Sequence, residues 1–161
     1  GICLGMQLAL IEYARSVCLI EDATSSEFNQ EARAKIINYL PEQYHGINLG
    51  GTLRLGSFPI KIKKGTLADK VYQAETIHER HRHRKAFNMT YFNELEKAGM
   101  IFSGFDLTGE IVEMVELKSH PFFIATQAHP EFLSRPDKPH PLFVEFIRSA
   151  NNQMKLQKKS S

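Results

Sequence analysis

The sequence predicts an α/β fold, a sheet carrying helices on its faces. Three observations lead to that expectation. Apolar residues recur at a helical period near both ends of the chain, and stretches of alternating apolar and polar residues lie between them. The last three such stretches are separated only by short, turn-rich connectors. At 161 residues and 42% hydrophobic content, the chain can bury one core.

The elements follow in order. Residues 4–17 place Leu4, Leu8, Ile11, Ala14 and Val17 at helical spacing. Residues 21–30 are polar and read as loop, and residues 34–40 read as a strand ended by Pro41-Glu42-Gln43. Residues 50–56 alternate small and apolar side chains between glycines, a strand or flap with bends. Residues 67–72 form a short helix, residues 77–87 alternate as one strand, and residues 91–98 form a helix closed by Gly99. Residues 101–105, 111–117 and 122–127 read as three strands in hairpin succession. Residues 142–151 close as an amphipathic helix with Leu142, Phe143, Phe146, Ile147 and Ala150 on one side. The domain is expected to span residues 1–152, with a basic, disordered tail over 153–161.

Composition excludes several function classes. A formal net charge of +2 is too small to direct the chain to nucleic acid or to a membrane surface. No apolar run reaches the ~18 residues of a membrane span, and the start does not resemble a signal peptide. Two cysteines, Cys3 and Cys18, are too few for a disulfide framework or a cysteine-rich zinc site, which points to a reducing, cytoplasmic location. There the sequon Asn88-Met89-Thr90 carries no meaning.

The chemistry lies at the two ends. Gly1-Ile2-Cys3-Leu4-Gly5 is a tight turn running into a helix, which places a thiol at a strained strand-to-helix elbow beside helix-terminal N–H groups. The positive end of the helix favours thiolate, the reactive form. Downstream stands Gln127-Ala128-His129-Pro130-Glu131-Phe132. Pro130 keeps the preceding residues extended, and alternation then puts His129 and Glu131 on one face. Cys3, His129 and Glu131 thus supply a nucleophile, a base and the acid that orients it. In the run Glu79-Arg80-His81-Arg82-His83-Arg84, alternation places both histidines on one face of a strand. The neighbouring arginines repel a cation, so no metal site is expected, and a solvated basic strand is the plain reading.

The elbow and the His-Pro-Glu segment together resemble class I glutamine amidotransferases. Asp22-Ala23-Thr24-Ser25-Ser26-Glu27-Phe28, Gly50-Gly51-Thr52-Leu53-Arg54-Leu55-Gly56, Glu79 to Arg84 and His129 to Pro136 occur in the order found in the CTP synthase family, which they resemble most. The resemblance implies a three-layer mixed sheet with flanking helices that here lacks its N-terminal strands. It also implies glutamine hydrolysis through a cysteinyl thioester, with ammonia passed on to aminate UTP to CTP.

By the same resemblance Gln7, Glu27 and Arg84 bind glutamine, the Leu4 backbone N–H serves the oxyanion, and Arg54 lies on a lid tied to activation by GTP. The second oxyanion donor belongs to an upstream loop, and ATP and Mg belong to an upstream synthetase domain, so the chain reads as a fragment with no cofactor of its own. A homo-oligomer, a tetramer in the family, is implied as well. Lys85, Ala86 and Ala128 depart from the family pattern, which has an aromatic and a glutamate after the arginine and, in many members, an aromatic before the histidine. Two other readings stand beside this one. The chain could be the glutaminase unit of another enzyme such as GMP synthase, or a non-catalytic truncated module.

Overall fold

A computed structural model describes residues 1–40 and 53–159. Helix α1 (Leu4–Ser16) is followed by strands β1 (Thr24–Ser25), β2 (Lys35–Tyr39) and β3 (Arg54–Ile62), then by helix α2 (Leu67–Tyr72). Strands β4 (Thr76–His83) and β5 (Lys85–Phe87) lead through a 3-10 turn into helix α3 (Phe92–Lys97). Strands β6 (Met100–Phe105), β7 (Val112–Leu117) and β8 (Ile124–Thr126) come next, and helix α4 (Pro141–Lys159) closes the chain.

Five strands form a sheet in the order β4-β3-β6-β7-β8, each pair antiparallel. Ile2 adds a parallel bridge to Thr126 beside β8, so the sheet is mixed where the first helix begins. A small sheet, β1-β2-β5, joins a parallel and an antiparallel pair. Met6, Leu10 and Ala14 of α1 pack with Ile36, Ile37, Phe87, Leu95, Phe102, Val115 and Ala125 on one face of the large sheet. Ile60, Ala68, Met114, Ala128 and Leu142 bring α2 and α4 to the other face. This is the expected three-layer α/β arrangement.

Local chemistry explains several element ends. Thr66 caps α2 by accepting from the Asp69 N–H at 3.2 Å. Glu116 of β7 accepts from the Leu67 and Ala68 N–H groups at 2.6 and 3.0 Å, pinning the start of that helix to the sheet. Gly99 ends α3 at φ 109°, a backbone state that favours glycine.

Four expectations need correction. The alternating run 77–87 is two strands in different sheets, because the chain breaks at Arg84 and β5 leaves β4 to pair with β2. The polar stretch 21–30 holds β1, and Ala23 to Ser26 are buried, with β1 paired to β2, Ser25 Oγ accepting from the Glu27 N–H and Ser26 Oγ from Lys85 Nζ. The apolar stripe of α1 is rotated from the expected one. Met6, Leu10, Ile11 and Ala14 are buried together with Gln7, whereas Leu4, Leu8 and Val17 are each about half exposed. Finally, the basic stretch 153–159 continues α4 rather than being disordered; Met, Lys, Leu and Gln are good helix formers, and neither Gly nor Pro interrupts them. The strand expected at 50–56 is seen from Arg54 and runs on to Ile62, and Pro59 is tolerated because β3 there pairs with β4 alone. Residues 50–52 and the Pro41-Glu42-Gln43 strand end lie outside the described residues.

Candidate active site

The elbow is formed by two peptide groups. The Cys3 N–H donates to Thr126 O at 2.8 Å, and the Thr126 N–H donates back to Gly1 O at 2.9 Å, so the chain enters alongside β8. One residue later α1 begins, with the Met6 and Gln7 N–H groups donating to Cys3 O. Joining the two directions puts Cys3 at φ 49°, ψ −105°, outside the ordinary regions for a side-chain-bearing residue. The strain therefore sits on Cys3, the candidate nucleophile, and not on its flanking glycines. Gly1 is needed for a different reason: a Cβ there would lie 2.9 Å from the Gly5 backbone and 3.1 Å from the Ala125 side chain. Nothing lies within 4 Å of where a Cβ of Gly5 would stand.

Burial raises the Cys3 thiol pKa, and the Glu131 charge adds to the rise. The Leu4 N–H and the Gln127 side chain, both hydrogen-bonded to the sulfur, lower it. The Gln127 Nε2 donor is 3.5 Å from Sγ, and the thiol itself points at Arg82 O at 3.9 Å. His129 Nδ1 and Glu131 Oε1 are 2.6 Å apart, so the candidate base and carboxylate are joined, but not by the extended alternation expected. Pro130 starts a 3-10 turn that brings Glu131 back to the ring. The His129 N–H donates to Arg80 O at 2.7 Å, and its ring stacks on Phe132 at 5.1 Å. Among the described residues no hydrogen bond joins Cys3 to His129, a looseness common before substrate binds.

Beneath this surface lies a buried polar cluster that the sequence reading missed. The Lys85 carbonyl can only accept, so the His83 Nδ1 at 2.8 Å carries a proton. His83 Nε2 is then an acceptor, and His81 Nδ1 at 3.2 Å donates to it. Burial holds both imidazoles neutral, lowering His81 to about 3 and His83 to about 4. Glu113, wholly buried, lies 3.6 Å from His81 Nδ1 and 2.7 Å from Arg54 Nη2. Burial lifts its carboxyl to about 7 against the pull of Arg54. His81, His83 and Glu113 offer donor atoms within 4.8 Å of one another, the spacing of a metal site. Two of these atoms, His81 Nδ1 and His83 Nε2, are engaged with each other, and the Arg54 guanidinium supplies a cation beside Glu113, whose oxygens accept no hydrogen bond among the described residues. The sequence signal for Glu113 was a carboxylate between apolar neighbours in a strand, a feature it shares with Glu116.

The predicted site residues divide into three groups. Gln7 is buried beside the nucleophile: its Nε2 donates to Gln127 Oε1 at 3.0 Å and to Lys85 O at 3.3 Å. Glu27 and Arg84 are exposed, and neither has an ion-pair partner among the described residues. They flank a contact in which Lys85 Nζ donates to Ser26 Oγ at 2.9 Å and lies over the Tyr39 ring. Arg54, expected on a lid, is largely buried in its pair with Glu113 and lies over Phe58 at 4.6 Å. Ala128 is buried in the core shared by β7, α2 and α4.

Comparison with known proteins places this geometry. A family model described as glutamine amidotransferase class-I matches residues 1–149. The CTP synthase of Rubrobacter xylanophilus is 54% identical over 147 residues, covering 91% of this chain and 26% of the relative. That of Halalkalibacterium halodurans is 55% identical over 150 residues, covering 93% and 28%. The chain thus spans about a quarter of the length of these relatives. The solved Trypanosoma brucei CTPS glutaminase domain with bound acivicin superposes with a TM-score of 0.87 at 37% identity, over 94% of this chain and 59% of that one. With its thiol at a strand-to-helix elbow and a His–Glu pair at the end of the same sheet, the chain belongs to the class I glutamine amidotransferase family.

Proposed function

We propose that the chain is the glutaminase part of a CTP synthase, releasing ammonia from glutamine for the ATP-dependent amination of UTP. The observation that carries this reading is the strained Cys3 at the start of α1, held against β8 next to the bonded His129–Glu131 pair. In the reaction Cys3 Sγ attacks the side-chain carboxamide carbon of glutamine, and His129 delivers a proton to the departing nitrogen, which leaves as ammonia. Water, deprotonated by His129, then cleaves the thioester to glutamate and restores the thiol. The Leu4 N–H, which bonds the Cys3 sulfur before substrate arrives, would turn to the oxyanion. Exposed Glu27 and Arg84 suit the ammonium and carboxylate of the substrate's amino-acid end, the guanidinium by a bidentate contact.

An upstream synthetase domain, with ATP and Mg, and a homo-oligomer belong to the same proposal, as does a cytoplasmic location. No helix among the described residues is long and apolar enough to cross a membrane. GTP activation through Arg54 is also part of it, and contact with an effector would require the guanidinium to leave Glu113 or to reach both. The test is Cys3→Ala in the full-length protein. Glutamine-dependent CTP formation should be abolished and ammonia-dependent formation kept, because synthesis from free ammonia needs no thiol. Loss of both would make Cys3 structural, and retention of both would refute the reading.

A further inference from the structure

Gln127 has no assigned part in the chemistry above, yet it is buried and in contact with the reacting sulfur. We propose that Gln127 acts directly on the nucleophile, donating its Nε2–H to the Cys3 sulfur in an orientation imposed by Gln7 and the Lys85 carbonyl. The inference rests on the glutaminase reading for its meaning, but its evidence is geometric.

The orientation follows from donor and acceptor chemistry alone. A backbone carbonyl accepts and cannot donate, so Gln7 must turn its NH2 group, and not its oxygen, toward Lys85 O at 3.3 Å. The same NH2 group is 3.0 Å from the Gln127 side chain, which must therefore present its oxygen there. That leaves the Gln127 NH2 group to face Cys3 Sγ at 3.5 Å. Had the order been reversed, an amide oxygen would stand against the sulfur and repel the thiolate. The Gln127 backbone is tied in turn, its N–H donating to Glu113 O at 2.8 Å, so the side chain projects from a fixed point of β7 and β8.

The other groups facing the sulfur make the donor matter. Burial and the Glu131 charge disfavour the thiolate, and among the described residues the Leu4 N–H is the one further hydrogen-bond donor to it. That N–H is also the candidate oxyanion donor, so it is shared once the substrate carbonyl arrives. Arg82 contributes a carbonyl that a thiol can bond and a thiolate cannot. Arg54 and His81 lie against Glu113, 2.7 and 3.6 Å from its carboxylate. Gln127 is thus a donor that serves the thiolate through the approach to substrate, and Gln7 is the positioning residue that keeps it turned the right way.

The experiment is the pH dependence of Cys3 alkylation by iodoacetamide, a neutral electrophile, in the full-length protein, with the labelled site mapped by mass. Gln127→Met keeps length and removes the donor, and should move the midpoint up by about one pH unit, a roughly tenfold slower reaction below it. Gln7→Met should move it the same way by less, and the double variant should match Gln127→Met, since Gln7 acts through Gln127. A folded Gln127→Met protein with the wild-type midpoint would overturn the proposal. So would a Gln7→Met shift that adds in full to that of Gln127→Met. If Gln127→Met does not fold, Gln7→Met decides alone, and an unchanged midpoint there refutes the relay. The glutaminase reading fails separately, if Cys3→Ala still hydrolyses glutamine.

Discussion

Glu113→Gln isolates the cost of the buried carboxylate behind the active site. The native carboxyl titrates at about 7 against an ordinary value of 4.5, with burial as the main cause. The folded protein therefore holds a proton that the unfolded chain has released, and stability falls as pH rises between those two values. The difference of about 2.5 units corresponds to roughly 3 kcal/mol, fully present below pH 4.5 and lost by about pH 7 to 8. The neutral amide removes that slope, whatever constant penalty comes from leaving Arg54 without its anion. Arg54→Met works in the opposite sense. The guanidinium is the group that lowers the carboxyl, so its removal should push the titration up by a further 1–3 units or so.

The assay is hydrogen exchange, read by mass spectrometry on peptides covering β7 in the full-length protein, as opening free energy against pH and corrected for intrinsic exchange. Wild type should lose protection between about pH 5 and 7.5, Glu113→Gln should not, and in Arg54→Met the loss should begin at the same pH, continue further upward and be larger in total. Parallel profiles for wild type and Glu113→Gln would refute the reasoning and show that Arg54 keeps Glu113 ionised throughout.

Two further outcomes test the roles of particular residues. Arg54→Ala should weaken GTP stimulation of glutamine hydrolysis more than it slows ammonia-dependent synthesis; an unchanged GTP response would assign the arginine to the Glu113 pair alone. The two glycines of the elbow should separate: Gly1→Ala forces a Cβ against backbone and should loosen the elbow, whereas Gly5→Ala enters open space and should leave thermal stability within about 0.5 kcal/mol of wild type. Equal destabilisation by both would contradict the packing described for Gly1.

Much of the chemistry was legible because it is local. The thiol at a helix start and the joining of His129 with Glu131 involve neighbours within a few residues, although the strain at Cys3 also needs its pairing with Thr126, and Glu131 returns to the ring through a 3-10 turn and not through extended alternation. Helix α2 and the strands β6, β7 and β8 were legible for the same reason, being regular and bounded by turn residues. What could not be read was set by long-range contact. The run 77–87 alternates without interruption, and nothing local marks Arg84 as the point where one sheet gives way to another. The break is instead favoured by pairing with β2, about fifty residues away in sequence. The same holds for the rotated stripe of α1, where Gln7 takes a core position because Gln127 and the Lys85 carbonyl satisfy its amide.

Gln7, Gln127, His81, His83 and Glu113 form one connected system, and this bears on the departure at Lys85. Its carbonyl accepts from both Gln7 and His83, so a single backbone oxygen orients the amide pair leading to Cys3 and the imidazole pair leading to Glu113. A backbone atom can hold this place whatever side chain is attached. The lysine side chain turns away to Ser26 and Tyr39, where it satisfies its charge without entering either chain of hydrogen bonds. Substitution at this position can therefore change the wall beside Glu27 while leaving the nucleophile's surroundings intact. The position of the Lys85 carbonyl, fixed by the pairing of β5 with β2, is what ties the small sheet to the chemistry of the large one.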